Sequence, residues 1–334
     1  MIKTTPFEMV FIIREFMFPF GDKELKIGIL GFTEGNGHPY SWSAMFNGYD
    51  HVEMESCGFP VIPRYLEKQP AHTLGIPGAK ITCVCCTGYA GREEAEHIAR
   101  AAYIPTVYDR PEEMIGKVDA VIVATDDGNE HVERCRPFVE AGIPMFIDKP
   151  LVNTEEDLKT FLQWRSEGAK FISSSCMRYM KDQEPFYTNR YELGEIKYIC
   201  SPMAKKYETY GIHGLERMYP LLGEGFISAR HTGTKEKAVV HIKHKNGCDV
   251  HVVQSYNMAT MGMMVLGSYQ AQMFNSGDSY YAFKKQLDLF VHWLRTGEEP
   301  FPFSETVELM KLVIAGLRSR EEGGREVFLS EIDV

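Results

Sequence analysis

Dense clusters of basic residues are missing from this sequence of 334 residues, whose formal net charge is −10. Nucleic acids and anionic membranes attract basic surfaces, so neither is expected as the main partner. The apolar stretch at residues 9–20 is interrupted by Arg14 and Glu15 and lacks a small-residue cleavage site. We therefore expect no signal peptide and no membrane span, and we expect a small molecule as the ligand. Residues 1–24 are interpreted as an N-terminal extension.

A disulfide framework is also absent. The eight cysteines are scattered through apolar runs, which is typical of reduced core residues in a cytoplasmic protein. Cys83 and Cys86 have C-x-x-C spacing, but they lie in a predicted strand, where positions three apart face opposite sides. Neither a redox pair nor a zinc site is expected there.

Short apolar runs alternate with longer amphipathic ones from residue 25 onward. In the run 130–142, Val132, Cys135 and Phe138 share one helical face, and Gly142 follows at the position of a C-terminal cap. Strand and helix in alternation predict an α/β fold with a doubly wound parallel sheet. The predicted strands lie near 27–31, 81–86, 118–124, 143–148 and 170–179.

The pattern changes after about residue 190. Residues 238–256 are two alternating runs around Asn246-Gly247, which predicts a two-residue hairpin turn. The second half is therefore predicted to be an α+β domain with a mainly antiparallel open sheet, followed by two helices. We predict domains at 25–177 and 178–334, and self-association through the open sheet face near residues 263–266.

Histidine and aspartate meet on the predicted hairpin. The two-residue turn would place His244 opposite Asp249, with His251 on the same face. That geometry is tolerable for a metal, but it is more typical of a solvated or interface face, and no metal site is expected.

The loop after the first predicted strand is rich in glycine. Gly31, Gly35 and Gly37 would let backbone N–H groups approach a diphosphate at the start of the next helix, although glycines that merely mark a flexible loop remain an alternative. Phe32, Thr33 and His38 lie in the same stretch and are candidate cofactor contacts.

An acidic residue is missing after the second predicted strand, where it would hold the 2′-hydroxyl of an adenosine ribose. Thr87 or Gly88 takes this place, and Thr87 with Arg92 nearby would tolerate a 2′-phosphate. After the third strand come Thr125, Asp126 and Asp127, either along the edge of a cofactor or, for the aspartates, as a cap of the following helix.

The order of the segments LKIGILG, VDAVIVATDDGNEH, AGIPMFIDKPL and CMRY resembles the glucose-fructose oxidoreductase, inositol dehydrogenase and rhizopine-catabolism family (Gfo/Idh/MocA). The resemblance extends from about residue 25 to the C-terminus and is strongest between 118 and 151. It implies a Rossmann domain, NAD or NADP as cofactor, and a sugar, inositol or related polyol as substrate.

In this family a Glu-Lys-Pro segment ends the fourth strand, and its lysine reaches the substrate hydroxyl beside the nicotinamide. Here the segment is Asp148-Lys149-Pro150. A lysine in a crevice would steady a developing alkoxide, and a pKa lowered by burial would let it relay a proton. From position alone, Lys149 is equally an ordinary solvated lysine at a strand end.

The resemblance also implies a catalytic histidine in a D-x-G-x-H segment, which matches His213. Thr209 stands where the aspartate is expected, so the carboxylate that would orient the imidazole is missing. His213 is therefore either a base or substrate anchor, or a structural histidine at a helix start. The further substrate-pocket candidates are Arg178, Tyr179, Tyr210 and Glu216.

Three functions remain open from the sequence. The preferred prediction is an NAD(P)-dependent oxidoreductase that transfers a hydride to or from a hydroxyl carbon. The second is a nucleotide-binding sensor or scaffold that has lost the chemistry. The third is an enzyme in which the redox step serves an elimination or hydrolysis.

Overall fold

The computed structural model describes residues 20, 23–258, 261–275 and 277–334. The predicted extension at 1–24 therefore lies almost wholly outside the described residues. Two sheets organise the rest of the chain, one in each half.

The first sheet has six strands in the order β3-β2-β1-β4-β5-β6, and every pair is parallel. Their near-continuous apolar sequences are buried on both faces, as expected for parallel strands covered by helices. The prediction of a doubly wound sheet is confirmed. The strands are β1 (Leu25–Gly31), β2 (Ala79–Cys86), β3 (Thr106–Val107), β4 (Ala120–Val123), β5 (Met145–Ile147) and β6 (Phe171–Ser173).

Helices connect these strands. One helix carries the predicted apolar face with the buried Cys135 and Phe138, and Gly142 follows it with a φ of +67°. Two short helices lie in an added segment between the first helix and β2. The helices are α1 (His38–Asn47), α2 (His51–Glu55), α3 (Val61–Leu66), α4 (Arg92–Ala101), α5 (His131–Glu140) and α6 (Glu155–Ser166).

The second sheet has seven strands in the order β12-β11-β7-β10-β9-β8-β13. Only β7 and β10 pair in parallel, so the predicted mainly antiparallel sheet is confirmed. The strands are β7 (Ile196–Ala204), β8 (Phe226–Gly233), β9 (Lys237–His244), β10 (Asp249–Ser255), β11 (Met263–Gly267), β12 (Ala271–Phe274) and β13 (Val327–Phe328).

The β9–β10 hairpin exists, but its turn differs from the prediction. The backbone N–H of His244 donates to Cys248 O, so the loop has three residues, with Gly247 at a φ of +84°. This extra residue pairs Asp249 with Lys243 instead of His244. A slip of one residue reverses the face of a side chain, so His244 is buried while His251 lies on the open face.

The remaining helices pack on both sheets. The predicted pair of C-terminal helices is present; the first of them packs against the first sheet through Leu287 and Phe290, and the second runs along β8. The chain thus returns to its N-terminal half and closes a crevice between the two sheets. These helices are α7 (Glu184–Thr188), α8 (Ile212–Leu222), α9 (Ser279–Thr296) and α10 (Phe303–Glu321).

Within the described part of the chain, all eight cysteines are free, and seven of them are buried. Among the same residues there is no group of three or more His, Cys, Asp or Glu side chains arranged for a metal ion. No described helix has the length and apolar character needed to cross a membrane.

Candidate active site

A cavity of about 220 Å³ lies in the crevice, where the loop after β1 faces the start of α8. Its wall combines residues from both halves of the chain, and most of its surface is apolar. The polar and titratable members include His38, Tyr210 and His213. A site of this kind, enclosed and with few convergent polar groups, is typical of small-molecule binding.

Lys149 is 2% exposed and is not itself among the lining residues, but its ammonium faces the ring of Tyr210, which lines the cavity. Its Nζ is 3.5 Å from Asp126 Oδ2, 3.9 Å from Asp148 Oδ1 and 5.2 Å from the centre of the Tyr210 ring. Burial would lower the pKa of Lys149, but the two carboxylates outweigh burial and raise the pKa above its ordinary value. The expectation of a lowered pKa was wrong, and Lys149 is a fixed ammonium donor.

Asp148 connects Lys149 to the helix start. One of its carboxylate oxygens accepts a hydrogen bond from His38 Nδ1 at 2.5 Å and one from Asn36 Nδ2 at 3.2 Å, and the other accepts the Lys149 backbone N–H at 2.7 Å. Burial opposes the charged form, yet His38 and Lys149 hold the pKa of Asp148 well below its ordinary value. Asp148 is therefore a buried, ionised carboxylate between His38, which lines the cavity, and Lys149.

His213 begins the regular part of α8 and lines the cavity. Its Nδ1 lies 2.6 Å from Ser175 Oγ, and its ring meets the Tyr210 ring edge to face. Burial, then the charge of Lys149, lowers the pKa of His213 well below its ordinary value, so the imidazole is neutral. Thr209 lies in the π-helical turn before α8, and among the described residues no carboxylate bonds to His213.

The glycine loop contacts the ends of β4 and β5. Thr33 Oγ1 donates to Asp126 Oδ1 at 2.7 Å, and Asp126 in turn contacts Lys149. Gly35 has a φ of +75°, which requires glycine. Gly37 precedes α1 in tight contact with Phe59, since an added Cβ would come within 2.8 Å of that ring.

Two further loop candidates differ in their surroundings. Gly31 ends β1 against Pro39, and Phe32 is buried beside Tyr89, whose ring stacks on it. Phe32 is thus a packing residue of the loop, 4% exposed.

The loop after β4 separates its three candidates. Thr125 Oγ1 is buried and has no hydrogen-bond partner among the described residues. Asp127 Oδ1 accepts from the backbone and side chain of Asn129, so it orders the turn before α5. It does not cap the helix, whose N-cap residue is Glu130. Only Asp126 reaches the cluster around Lys149.

At the end of β2, the residue beside Thr87 is not Arg92. Arg92 is on the surface with Glu96 and Asp109, whereas Arg134 Nη1 of α5 donates to Thr87 Oγ1 at 2.8 Å. A surface pocket opens here, and besides Arg134 its charged members are Glu112, Glu130 and Glu133.

Arg178 and Glu216 are not brought to the cavity. They form a buried ion pair with each other, and Arg178 Nη1 also donates to Glu305 Oε2 at 2.5 Å. Tyr179 is likewise absent from the cavity lining, and burial raises its pKa. Of the predicted substrate residues, only Tyr210 lines the cavity.

The sequence analysis did not identify most of the apolar residues that line the cavity. The added segment between α1 and β2 supplies several side chains, and α9 and the loop before β11 supply others. The one available signal was the length of about forty residues between the glycine loop and β2, longer than a single connecting helix needs. These residues are Phe59, Val61, Ile62, Tyr65, Met261 and Phe283.

The crevice has the features needed for a nicotinamide dinucleotide. The unpartnered hydroxyl of Thr125 and the left-handed backbone at Gly35 lie at the carboxyl edge of the first sheet, where such ligands bind. Lys205, from the end of β7, crosses to donate to Gly35 O at 3.2 Å and brings a positive charge to the loop. Gly35, Thr125 and Lys205 would hold the cofactor near its diphosphate.

Residues 61–174 match the family model described as "Oxidoreductase family, NAD-binding Rossmann fold". Across these residues, about a third of the chain, the sequence is similar to the Gfo/Idh/MocA oxidoreductase family. No curated protein matches the sequence.

Solved structures share the fold of this chain over almost its whole length. A probable dehydrogenase from Thermotoga maritima is 15% identical, with a TM-score of 0.69 over 92% of this chain and 100% of that one. An apo scyllo-inositol dehydrogenase from Lactobacillus casei is 13% identical, with a TM-score of 0.71 over 93% and 99%. The same organism's myo-inositol dehydrogenase, in complex with NAD(H) and myo-inositol, is 16% identical, with a TM-score of 0.68 over 91% and 96%.

Proposed function

We propose that this protein is a nicotinamide-dependent oxidoreductase that transfers a hydride to or from the hydroxyl carbon of a sugar, inositol or related polyol. The observation that carries the proposal is Lys149, an ammonium that is held by Asp126 and Asp148 and faces the ring of Tyr210, which lines the cavity of about 220 Å³. The family match over 61–174 and the inositol dehydrogenases of similar fold support it.

The proposed role of Lys149 is to steady negative charge on the substrate oxygen. The ammonium has three donors, and its hydrogen-bond acceptor among the described residues is Asp126. The other donors are free for a substrate hydroxyl, whose oxygen becomes an alkoxide as the proton leaves. His213 and Tyr210, which line the cavity, contact the same hydroxyl compound, with His213 as base or anchor.

The proposed cofactor is NAD. Bound in the crevice, a nicotinamide dinucleotide would accept or return the hydride. The pocket at the end of β2 contains three glutamates and one arginine, Arg134, which is itself paired with Glu130. This negative surplus disfavours the additional phosphate of NADP.

Two further proposals concern the whole protein. Self-association through the open face of the second sheet is supported by the side chains of Val239, Val253 and Met264, which lie on the face that none of the described helices covers. A cytoplasmic location is supported by the free cysteines.

The enzymatic proposal is tested by following the absorbance at 340 nm with NAD and a panel of sugars and inositols. We expect reduction of NAD with at least one polyol, and we expect Lys159→Ala, a change at an exposed lysine, to leave it unaltered. Tight binding of NAD with no turnover on any member of the panel would favour the sensor function instead.

A further inference from the structure

We infer that His38, held by Asp148, is the group that accepts the substrate's hydroxyl proton. The inference rests on the proposed function, because it assigns the base for that reaction. It also accounts for the missing aspartate at Thr209: this chain has a carboxylate-supported histidine, but the pair comes from the first domain and not from α8.

The bond between the two side chains fixes the tautomer of His38. Asp148 is ionised and 1% exposed, and a carboxylate only accepts hydrogen bonds. The contact of 2.5 Å between His38 Nδ1 and Asp148 Oδ2 therefore places a proton on Nδ1. A neutral imidazole with its proton on Nδ1 has its lone pair on Nε2, which makes Nε2 the acceptor.

His38 also presents its ring to the site. The ring is stacked on Trp42 at 4.3 Å between centroids and touches Phe283 edge to face, so its orientation is fixed. His38 lines the cavity, its side chain is 15% exposed, and among the described residues no partner is found for Nε2. The free nitrogen therefore remains available to a hydroxyl group bound in the cavity.

His213 lacks this arrangement. Its Nδ1 partner is the hydroxyl of Ser175, which can donate or accept and so does not fix the tautomer. A neutral hydroxyl also stabilises an imidazolium less than a carboxylate does. His213 then serves as the anchor of the substrate and His38 as its base.

The proton-transfer step balances within this cluster. The substrate O–H bond breaks, the proton passes to His38 Nε2, and the electron pair stays on the oxygen beside the Lys149 ammonium. The new imidazolium lies against the Asp148 carboxylate. The oxidant for the carbon is the nicotinamide cofactor of the proposed function. The other charged or titratable groups of this cluster are Lys149, Asp126, Tyr210, Lys205 and His213.

The decisive experiment compares His38→Asn with His213→Asn, because the Asn amide nitrogen can replace Nδ1 in each hydrogen bond. We expect His38→Asn to lower kcat by ~10²–10⁴ and to abolish the acidic limb of the kcat/KM profile for alcohol oxidation. Its Kd for NAD should change by less than about threefold, since the base does not hold the cofactor. His213→Asn should raise KM and keep the limb.

Asp148 is a positioning residue, and its variant tests that role. In Asp148→Asn the imidazolium loses its counter-charge, so the acidic limb should move to lower pH; Asp148→Glu should restore part of the rate. Nitrogen NMR of the cofactor-free protein gives a readout independent of activity: His38 should carry its proton on Nδ1 in the wild type. His51→Asn, at an exposed histidine, is the control.

Each result has a defined meaning. The inference is overturned if the acidic limb of the kcat/KM profile is lost in His213→Asn and kept in His38→Asn. It is also overturned if His38 carries its proton on Nε2 in the wild type. A loss of NAD affinity in His38→Asn with kcat unchanged overturns it as well. These outcomes leave the proposed function standing, whereas a wild type that neither binds NAD nor turns over any polyol removes both.

Discussion

At the scale of single residues, the site is a cluster of buried charges around Lys149. Two carboxylates and one ammonium pack together, and His38 bonds to one of the carboxylates, Asp148. Buried charges are costly unless they are paired, and here each has a partner within 4 Å. The cluster therefore fixes the position of the Lys149 ammonium, the group proposed to meet the oxygen of a bound substrate.

Replacement of Lys149 tests this arrangement. Lys149→Ala should lower kcat by ~10²–10⁴, because it removes the donor that stabilises the alkoxide. It should also lower the melting temperature, because Asp126 and Asp148 lose their counter-charge. Lys149→Arg should keep most of the thermal stability and still lose most of the rate, since its rigid fork places the donors elsewhere. Equal rates in wild type and Lys149→Ala would contradict the role.

The buried His213 predicts a dependence of stability on pH. The pKa of His213 is well below 6.5 in the folded protein. As the pH falls below 6.5, the unfolded chain therefore binds a proton at this histidine before the folded chain does. The contribution is complete above pH 6.5 and is lost as the pH falls below 6.5, by up to about 1.4 kcal/mol per pH unit.

Urea unfolding above and below pH 6.5 measures this effect. The free energy of unfolding of the wild type should fall more steeply with acid than that of His213→Asn. Parallel curves for the two proteins would show that His213 is not buried in its neutral form.

At the scale of elements, the pocket at the end of β2 bears on the proposed choice of NAD over NADP. Glu112 and Glu133 lie beside Thr87 without a basic partner among the described ion pairs. We expect NAD to bind about tenfold more tightly than NADP, because the extra phosphate meets these carboxylates. In Glu112→Gln/Glu133→Gln the preference should shrink, as measured by calorimetric titration of both dinucleotides. A wild type that prefers NADP would contradict this account.

The strands and turns also show which structural features the sequence patterns could predict. Apolar runs and helical spacing were sufficient for the parallel sheet, because burial on both faces leaves a strong local signal. The Asn246-Gly247 pair predicted a hairpin correctly, but a dipeptide does not determine whether Lys245 joins the loop. Because Lys245 is part of the loop, His244 faces the core, and His241 instead of His244 contacts Asp249.

Part of the site was predictable because it depends on the topology of the parallel sheet. Lys149, Asp148 and His38 follow strand ends or the glycine loop, so the topology of the sheet brings them together. The pairing of Arg178 with Glu216, and the apolar wall from the added segment, depend on tertiary contacts between distant parts of the chain. Spacing in the sequence carries no information on such contacts.

At the scale of the whole molecule, the second sheet has one face under α8 and α10 and one open face. The run 263–266, predicted to lie near the self-association surface, alternates between the two faces of the sheet. Met263 and Val265 point to the core, while Met264 and Leu266 point outward. Met264 aligns with Met273 on β12 and with Cys200 on β7. This continuous band suits contact with a second copy of the chain.

Sedimentation tests the contact between copies. We expect a dimer or larger assembly at micromolar concentration, and we expect Met264→Lys to shift it toward monomer, because a charge would be buried in the interface. Val52→Lys changes a residue that is 80% exposed on α2, away from this face, and serves as the matched control. A wild type that is wholly monomeric would remove the proposed interface.

The central claim is that this protein transfers a hydride between a hydroxyl carbon and a nicotinamide, and deuterium transfer tests it most directly. The protein would be incubated with NAD and sugars or inositols deuterated on carbon, and the recovered cofactor analysed by mass spectrometry. The account predicts NADH carrying one deuterium with at least one substrate, and a strongly reduced yield in Lys149→Ala. Cofactor that binds but remains undeuterated with every polyol in the panel would contradict it.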